Sequence, residues 1–351
     1  MRKLRIGYWP LSTDLKAPGD RRRLIYWANA RGHSVITDLT QKLDVVVASE
    51  GSDLNSNIFN SIRVPVIFDL VDAYLSPLNS FDDLARGIAK KMVGQLSGKV
   101  KSYSEHVGSF CNRSDAVICS SKEQESIIRL YNANTHVILD SHEEIELIEP
   151  RLAELSHKEK KRILWEGQPS TIRGVGLISS ELAKLASDRN LEFSFVTDEL
   201  YFRYMNRFFQ GNTLDLVKTE LSLISRQSTI VPWSPQNLLK IAMSSTASMI
   251  PIDLAVPMQS LKPENRLLIM WRLGLPCLTS NSPAYNRVAH EAGVDVVCAE
   301  PVDWVDKFSR IFSDPEFALL EVLRGQDYLR SNHSGQILLK KWDSAFASVL
   351  G

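Results

Sequence analysis

KPENRLLIMWRLGLPCLTSNSPAY, residues 262–285, decides how the chain is read. Pro263 suits the first turn of a helix and Glu264 its positive end, while Leu267, Leu268, Trp271 and Leu273 recur at helical spacing as an apolar face. Gly274 stops the helix. Pro276 to Thr279 reads as a buried strand, and Ser282-Pro283 as an N-cap followed by proline at the first position of the next helix. A polar helix start therefore lies beside a parallel-type strand. Such a start offers unpaired backbone N–H groups and about half a positive charge, which suits it to holding a phosphate. Lys262, Asn265 and Arg266 add side-chain donors there.

Working outward, the same alternation of strand and helix fills the chain twice. In the second half, Arg162–Trp165, Leu191–Thr197, Thr229–Val231, Ser248–Ile252 and Pro276–Thr279 read as strands. Between them come helices at about 175–186 and 236–243, and a helical region around Tyr201, Tyr204 and Phe208. Arg173-Gly174 precedes the first of these helices. In the first half, Leu4–Trp9 opens a βαβ unit through the loop Ser12–Asp20, a helix over 21–30 and a strand at Ser34–Ile36. Asp44–Ala48 (DVVVA) and Val64–Leu70 (VPVIFDL) are near-continuous apolar runs of the kind that doubly covered parallel strands require. Asp72 follows the second run at a strand's carboxyl end, where open α/β sheets place ligands. Residues 80–112 read as one long helical region, Ala116–Cys119 as a strand, and Ser120-Ser121 as a helix cap ahead of Glu123 and Gln124. Val137–Leu139 reads as the last strand of the first half.

At 351 residues the chain is long for one core and fits two domains. Lys and Arg together number 41, as do Asp and Glu, so no global field draws the protein to nucleic acid. The basic cluster Lys158, Lys160, Lys161 and Arg162 sits in a polar stretch, 149–162, that reads as an interdomain linker. A solvated face is its simplest role, and peripheral contact with an acidic membrane surface is the alternative. Cys111, Cys119, Cys277 and Cys298 have no CxxC spacing and read as buried reduced thiols of a cytoplasmic protein. MRKLRIGYWPL runs straight into a strand with no leader pattern, and no apolar run reaches the length of a membrane span. The histidines are scattered without metal spacing, so no metal is expected.

Asn265-Arg266-Leu267-Leu268, Gly274-Leu275-Pro276 and Ser280 to Tyr285 resemble the donor-site segment of GT-B glycosyltransferases of the family-4-like group. The resemblance implies an α/β protein of two Rossmann-like domains facing across a cleft. Residues 1–150 would form the acceptor-side domain and 151–334 the nucleotide-sugar donor domain, with 335–351 a C-terminal helix returning to the first. It implies a metal-independent hexosyltransferase without cofactor, acting with retention, that moves sugar from a nucleotide-sugar to a glycan or lipid-linked acceptor in polysaccharide biosynthesis. Arg173 and Gly174 fall where the family meets the donor diphosphate, with Lys262, Asn265 and Arg266 completing the clamp. Trp233 falls where the base lies, as a stacking platform or as packing. Asp72 and Glu264 are the candidate catalytic carboxylates, Glu264 alternatively serving only the helix dipole. Gly19 marks a loop that faces the cleft in the family.

The chain departs from the pattern at three polar positions. Val71 replaces a histidine, and Leu261 and Ile269 replace two glutamates that hold sugar and ribose hydroxyls; an aliphatic side chain accepts no hydroxyl hydrogen bond. A non-catalytic descendant that binds a sugar nucleotide or a partner enzyme therefore stays open, as does a nucleotide-sugar epimerase. A dehydrogenase fits poorly. Gly174-Val175-Gly176 begins a dinucleotide fingerprint, with Asp198 near the end of the next strand, but Ser179 stands at the third glycine position.

Overall fold

The computed structural model describes residues 2–75, 80–92, 94–97, 101–151, 160–203 and 209–351. They form two compact units: Met1–His142 with Leu261–Pro263 and His333–Gly351, and Glu143–Ser260 with Glu264–Asn332. The division falls at 142/143, ahead of the expected 150, because residues 143–151 hydrogen-bond within the second unit. Arg272 donates through Nε to the Ile145 carbonyl at 2.8 Å, and the Ile148 N–H donates to the Arg272 carbonyl at 2.7 Å.

The first unit is built on a six-stranded parallel sheet of β1 (Arg5–Trp9), β2 (Ser34–Ile36), β3 (Val45–Ser49), β4 (Val66–Leu70), β5 (Ala116–Cys119) and β6 (Thr135–Val137), in the order β2-β1-β3-β4-β5-β6. Every residue of β3 is buried, as its apolar run requires. The final helix, Gly335–Leu350, contributes Leu338, Leu339, Trp342 and Phe346 to the same core as Leu4, Ile6, Trp27 and Val45. Trp342 lies 6.0 Å from Trp27, centroid to centroid, and Phe346 lies 4.1 Å from it. This unit also buries an ion pair: Arg23 donates through Nε to both carboxylate oxygens of Asp69, at 2.9 and 3.1 Å.

The second unit holds β7 (Lys161–Glu166), β8 (Leu191–Thr197), β9 (Leu200–Arg203), β10 (Phe209–Asn212), β11 (Ser228–Pro232), β12 (Ala247–Ile250), β13 (Cys277–Ser280) and β14 (Val297–Cys298). Six of them form a parallel sheet in the order β11-β8-β7-β12-β13-β14. Taken in chain order, that is the 3-2-1-4-5-6 pattern of a doubly wound dinucleotide-type fold, which reverses between β7 and β12. β9 and β10 form a separate antiparallel pair.

Several sequence expectations are corrected. The region around Tyr201 begins with a strand rather than a helix, because aromatic residues fit a ladder as well as a helix face; Tyr204 and Phe208 lie outside the described residues. Residues 80–112 divide into the helices Ser80–Met92 and Tyr103–Arg113, with non-helical backbone over 94–97, and a Ser102–Glu105 capping box restarts the second. The helix over 21–30 divides into Pro18–Arg21 and Leu24–Arg31, and that over 175–186 into Ile172–Gly176 and Ser179–Asp188. The strand at 137–139 lies two residues earlier. Within the basic cluster, Lys161 and Arg162 belong to β7, and Lys160 and Arg162 both pair with Glu192. Lys158 lies outside the described residues.

The opening stretch folds largely as its chemistry requires. Its helix runs Asn265–Arg272, with Glu264 at the N-cap and Pro263 one residue ahead of it, so the expected start moves by two residues. Gly274 takes φ +71° while its N–H and that of Leu275 close back on Trp271 and Met270, the left-handed stop that glycine reaches without strain. Ser282 caps the helix Pro283–Ala292, its side chain accepting the Tyr285 N–H, and Pro283 stands in the first turn.

Candidate functional site

In an open α/β sheet ligands gather outside the carboxyl ends of the strands, where the strand order reverses. In the second unit that place is set by the ends of β7 and β12. Glu166 ends β7, and the chain turns through Gly167 and a 3-10 turn, Pro169–Thr171, into the helix Ile172–Gly176. A Cβ on Gly174 would stand 2.5 Å from the Pro251 carbonyl oxygen, so only glycine lets this helix pack against the chain leaving β12. Arg173 projects outward beside that contact, its side chain 70% exposed and its Nε 3.7 Å from Asp253. Gly174 thus brings the helix in and leaves the Arg173 guanidinium loosely held.

The remaining donor-side residues are used differently from one another. Arg266 is not a free phosphate ligand. Its guanidinium lies 5.2 Å over the Trp165 ring, donates through Nη2 to the Glu166 carbonyl, and has Nε 3.6 Å from the Glu166 carboxylate. It braces the end of β7. Glu264 is buried, and Arg287 donates to both its carboxylate oxygens at 3.2 and 3.3 Å. It stands at the N-cap of the helix Asn265–Arg272, and its side chain makes no cap bond to that helix. Asn265 is the first residue of that helix and half-buried, whereas Lys262, three residues earlier, packs with the first unit. Ile269, at one of the missing glutamate positions, is a core residue, and Leu261 is half-buried.

Trp233 follows β11. Its backbone N–H donates to the Thr197 carbonyl at 3.0 Å and its indole N–H to Glu166 at 3.0 Å, which orients the ring. It lines a cavity of about 840 Å³ together with Gln168, Asp198, Glu199, Tyr201 and Pro232, at the carboxyl ends of β7, β8 and β11. That position sits beside the strand-order reversal, next to the turn that carries Arg173.

The first unit has a second cluster, at the ends of β3 and β4. Asp72 follows β4, and its backbone N–H donates to Glu50 Oε2 at 2.8 Å; the Val71 N–H donates to the same oxygen at 3.1 Å. Tyr103 donates through its hydroxyl to the Glu50 carbonyl at 3.2 Å, Tyr74 reaches Asp72 at 3.5 Å, and the two rings meet edge-on. Lys90 Nζ lies 4.1 Å from the centre of the Tyr103 ring. Burial, and then the neighbouring Asp72, push the Glu50 carboxyl up to about 8. Burial holds the Lys90 ammonium below its ordinary value, against the pull of Glu50. Glu50 therefore keeps its proton at neutral pH, and because one oxygen accepts both N–H groups the other can carry it. This residue was missed in the sequence, although an acidic residue closing an apolar strand is the signal that singled out Asp72.

Gly19 lies in the short helix Pro18–Arg21, where a Cβ would meet the Leu11 side chain. The loop after β1 is held by the buried Asp20, which accepts the N–H groups of Leu11 and Ser12 at 2.8 and 2.9 Å and the Tyr8 hydroxyl at 2.6 Å. All four cysteines are free and buried, and burial pushes the thiols of Cys111, Cys119 and Cys277 up to about 12. Among the described residues no group of three or more His, Cys, Asp or Glu side chains is placed to hold a metal, and no helix is long and apolar enough to cross a membrane.

No protein-family model matches the sequence, and no curated protein matches it. Solved structures do. WaaG, a glycosyltransferase involved in lipopolysaccharide biosynthesis, superposes with a TM-score of 0.59 at 11% identity over 99% of this chain and 100% of its own. Sucrose-phosphate synthase from Thermosynechococcus elongatus gives 0.57 at 12% identity over 92% of this chain and 75% of its own, and TarM gives 0.57 at 11% identity over 86% of this chain. The match spans 54% of the length of TarM. These likenesses show the fold, which is GT-B.

Proposed function

We propose that this GT-B chain is a glycosyltransferase that binds a nucleotide-sugar donor on its second unit and moves the sugar to a glycan or lipid-linked acceptor held by the first. One observation carries the reading: at the carboxyl ends of its 3-2-1-4-5-6 sheet the second unit presents an exposed arginine, Arg173, near the strand-order reversal and an aromatic-lined cavity at the ends of β7, β8 and β11. The leaving group of such a transfer is a diphosphate whose charge grows as the sugar–phosphate bond breaks, so a cation placed there stabilises the transition state. Arg173 supplies that cation, and Asn265 a donor at a helix start. Trp233 and Tyr201 offer flat faces to the base. On the acceptor side, Asp72 and Glu50 offer hydroxyl-binding carboxyls at the ends of β3 and β4. The likeness to WaaG, a glycosyltransferase involved in lipopolysaccharide biosynthesis, supports a polysaccharide or lipid-linked acceptor; a metal-independent retaining course and peripheral membrane contact belong to the same proposal.

A second reading has its own support. Ile269 sits in the core where a hydroxyl-binding glutamate is expected, and Arg266 is committed to Glu166. Both features fit a GT-B protein that holds a sugar nucleotide without turning it over.

A thermal-shift screen against UDP, GDP, ADP, CMP and NAD, followed by turnover with and without acceptor glycans, tests the proposal. Stabilisation by one nucleoside diphosphate and turnover that needs an acceptor support transfer. Stabilisation without turnover supports the binding protein, and stabilisation by NAD alone sinks both. Arg173→Ala should weaken nucleoside diphosphate binding roughly tenfold, the order expected for a charge-assisted hydrogen bond; unchanged binding would remove the diphosphate from this position.

A further inference from the structure

The cavity beside Trp233 has a chemistry that narrows the donor. Asp198 and Glu199 both line it, and no lysine, arginine or histidine does among the described residues. Two carboxylates on its wall repel a diphosphate, so the charged part of a nucleotide belongs nearer Arg173 and the cavity suits a neutral group. Trp233, Tyr201 and Pro232 add the flat apolar faces that a heterocycle stacks on. Trp233 is itself pinned by its indole bond to Glu166, and the Asp198–Glu199 turn is anchored by Thr213, whose hydroxyl donates to the Asp198 carbonyl at 2.6 Å and whose N–H donates to that of Glu199 at 2.9 Å. Platform and carboxylates thus stand on fixed backbone.

A carboxylate is an acceptor only, with two oxygens in one plane. It selects a base that presents two adjacent N–H donors. Uracil presents one, flanked by carbonyl oxygens that a carboxylate repels. Adenine and cytosine each present an amino group beside a bare ring nitrogen. Guanine alone presents a ring N–H and an amino group side by side, the pair that an Asp or Glu accepts in parallel.

We propose that this cavity is a guanine site and that the donor is a guanosine diphosphate sugar. The inference rests on the reading that the second unit holds a nucleotide sugar. It assigns base selection to Asp198 or Glu199, stacking to Trp233, and leaves the diphosphate with Arg173.

Isothermal titration of the full chain with GDP, IDP, UDP, ADP and CDP tests it. Inosine keeps the ring N–H and lacks the amino group, so IDP separates the two-donor contact from general purine stacking. GDP is expected to bind roughly tenfold or more tighter than UDP, ADP and CDP, and several-fold tighter than IDP, as a lost bidentate contact dictates. Asp198→Asn or Glu199→Gln should abolish the preference for GDP over IDP; both side chains are exposed, so the folded state is retained and circular dichroism confirms it. Equal or tighter binding of UDP, ADP or CDP overturns the guanine assignment while leaving the nucleotide-sugar reading in place. A GDP preference untouched by either variant also overturns it. Binding of none of the five removes the nucleotide reading itself, and the base assignment with it.

Discussion

Glu50 Oε2 accepts the N–H of Asp72 at 2.8 Å, while burial, and then the Asp72 charge, holds the Glu50 carboxyl in its protonated form. The side chain that fixes the Asp72 backbone is thus kept neutral where it sits. Since the Glu50 carboxyl is raised to about 8, the native state keeps a proton that the unfolded chain releases near the ordinary carboxylate value. This residue's contribution to stability therefore falls as pH rises from about 4.5 to about 8. Glu50→Gln keeps an oxygen for both N–H groups and removes the titration. Its melting temperature relative to the parent should rise across that window and match it at lower pH. A difference that does not change with pH would show Glu50 ionised at neutrality.

Glu264 and Arg287 form a second coupled pair, nearly closed to solvent on the glutamate side. Glu264→Gln leaves Arg287 partly buried against a neutral partner, with the Glu291 carboxylate 3.6 Å away. Unfolding by urea should show a loss of about 3 kcal/mol, the cost of breaking a buried pair. Replacing both residues by apolar ones of similar size should recover most of it.

Gly174→Ala places a methyl group against the Pro251 carbonyl. Backbone cannot yield as a side-chain tip does, and a loss of about 1–3 kcal/mol is expected. Because Arg173 stands on the same turn, nucleoside diphosphate binding should weaken in step, whereas Arg173→Ala alone should leave the melting temperature within about 1 °C.

Trp342→Ala removes one of the largest fully buried side chains of the first unit. A cost of about 3–5 kcal/mol is expected, read by hydrogen exchange as loss of protection in β1, β3 and β5 with the second unit's strands unchanged.

Much of the fold is legible because local chemistry and tertiary role agree. β3 is an apolar run because both its faces are covered, and Ser282-Pro283 reads as a helix start because capping is a matter of neighbouring residues. Legibility fails where a residue's role is set by a distant partner. The hairpin that contains Tyr201 exists through pairing with residues 209–212. Arg266 has the composition of a phosphate ligand, and only the packing of β7 against its helix shows it spent on Glu166. Glu264 looked free to serve a substrate or a helix dipole until Arg287, one helix later, claimed it. Glu50 gains its role from β4, some twenty residues on, whose end supplies the two N–H groups.

The helix Gly335–Leu350 is the last secondary element of the chain, yet it completes the core that β1 begins. During synthesis the opening sheet emerges from the ribosome with the apolar face that Trp342 and Phe346 will cover still bare. Domains made early normally fold early. Here the whole second unit must be translated first, so a chaperone or a neighbouring nascent chain has the duration of some two hundred residues' elongation in which to meet that face. Ribosome-bound chains stopped at Asn332 should accordingly be protease-sensitive in the first unit and already resistant in the second.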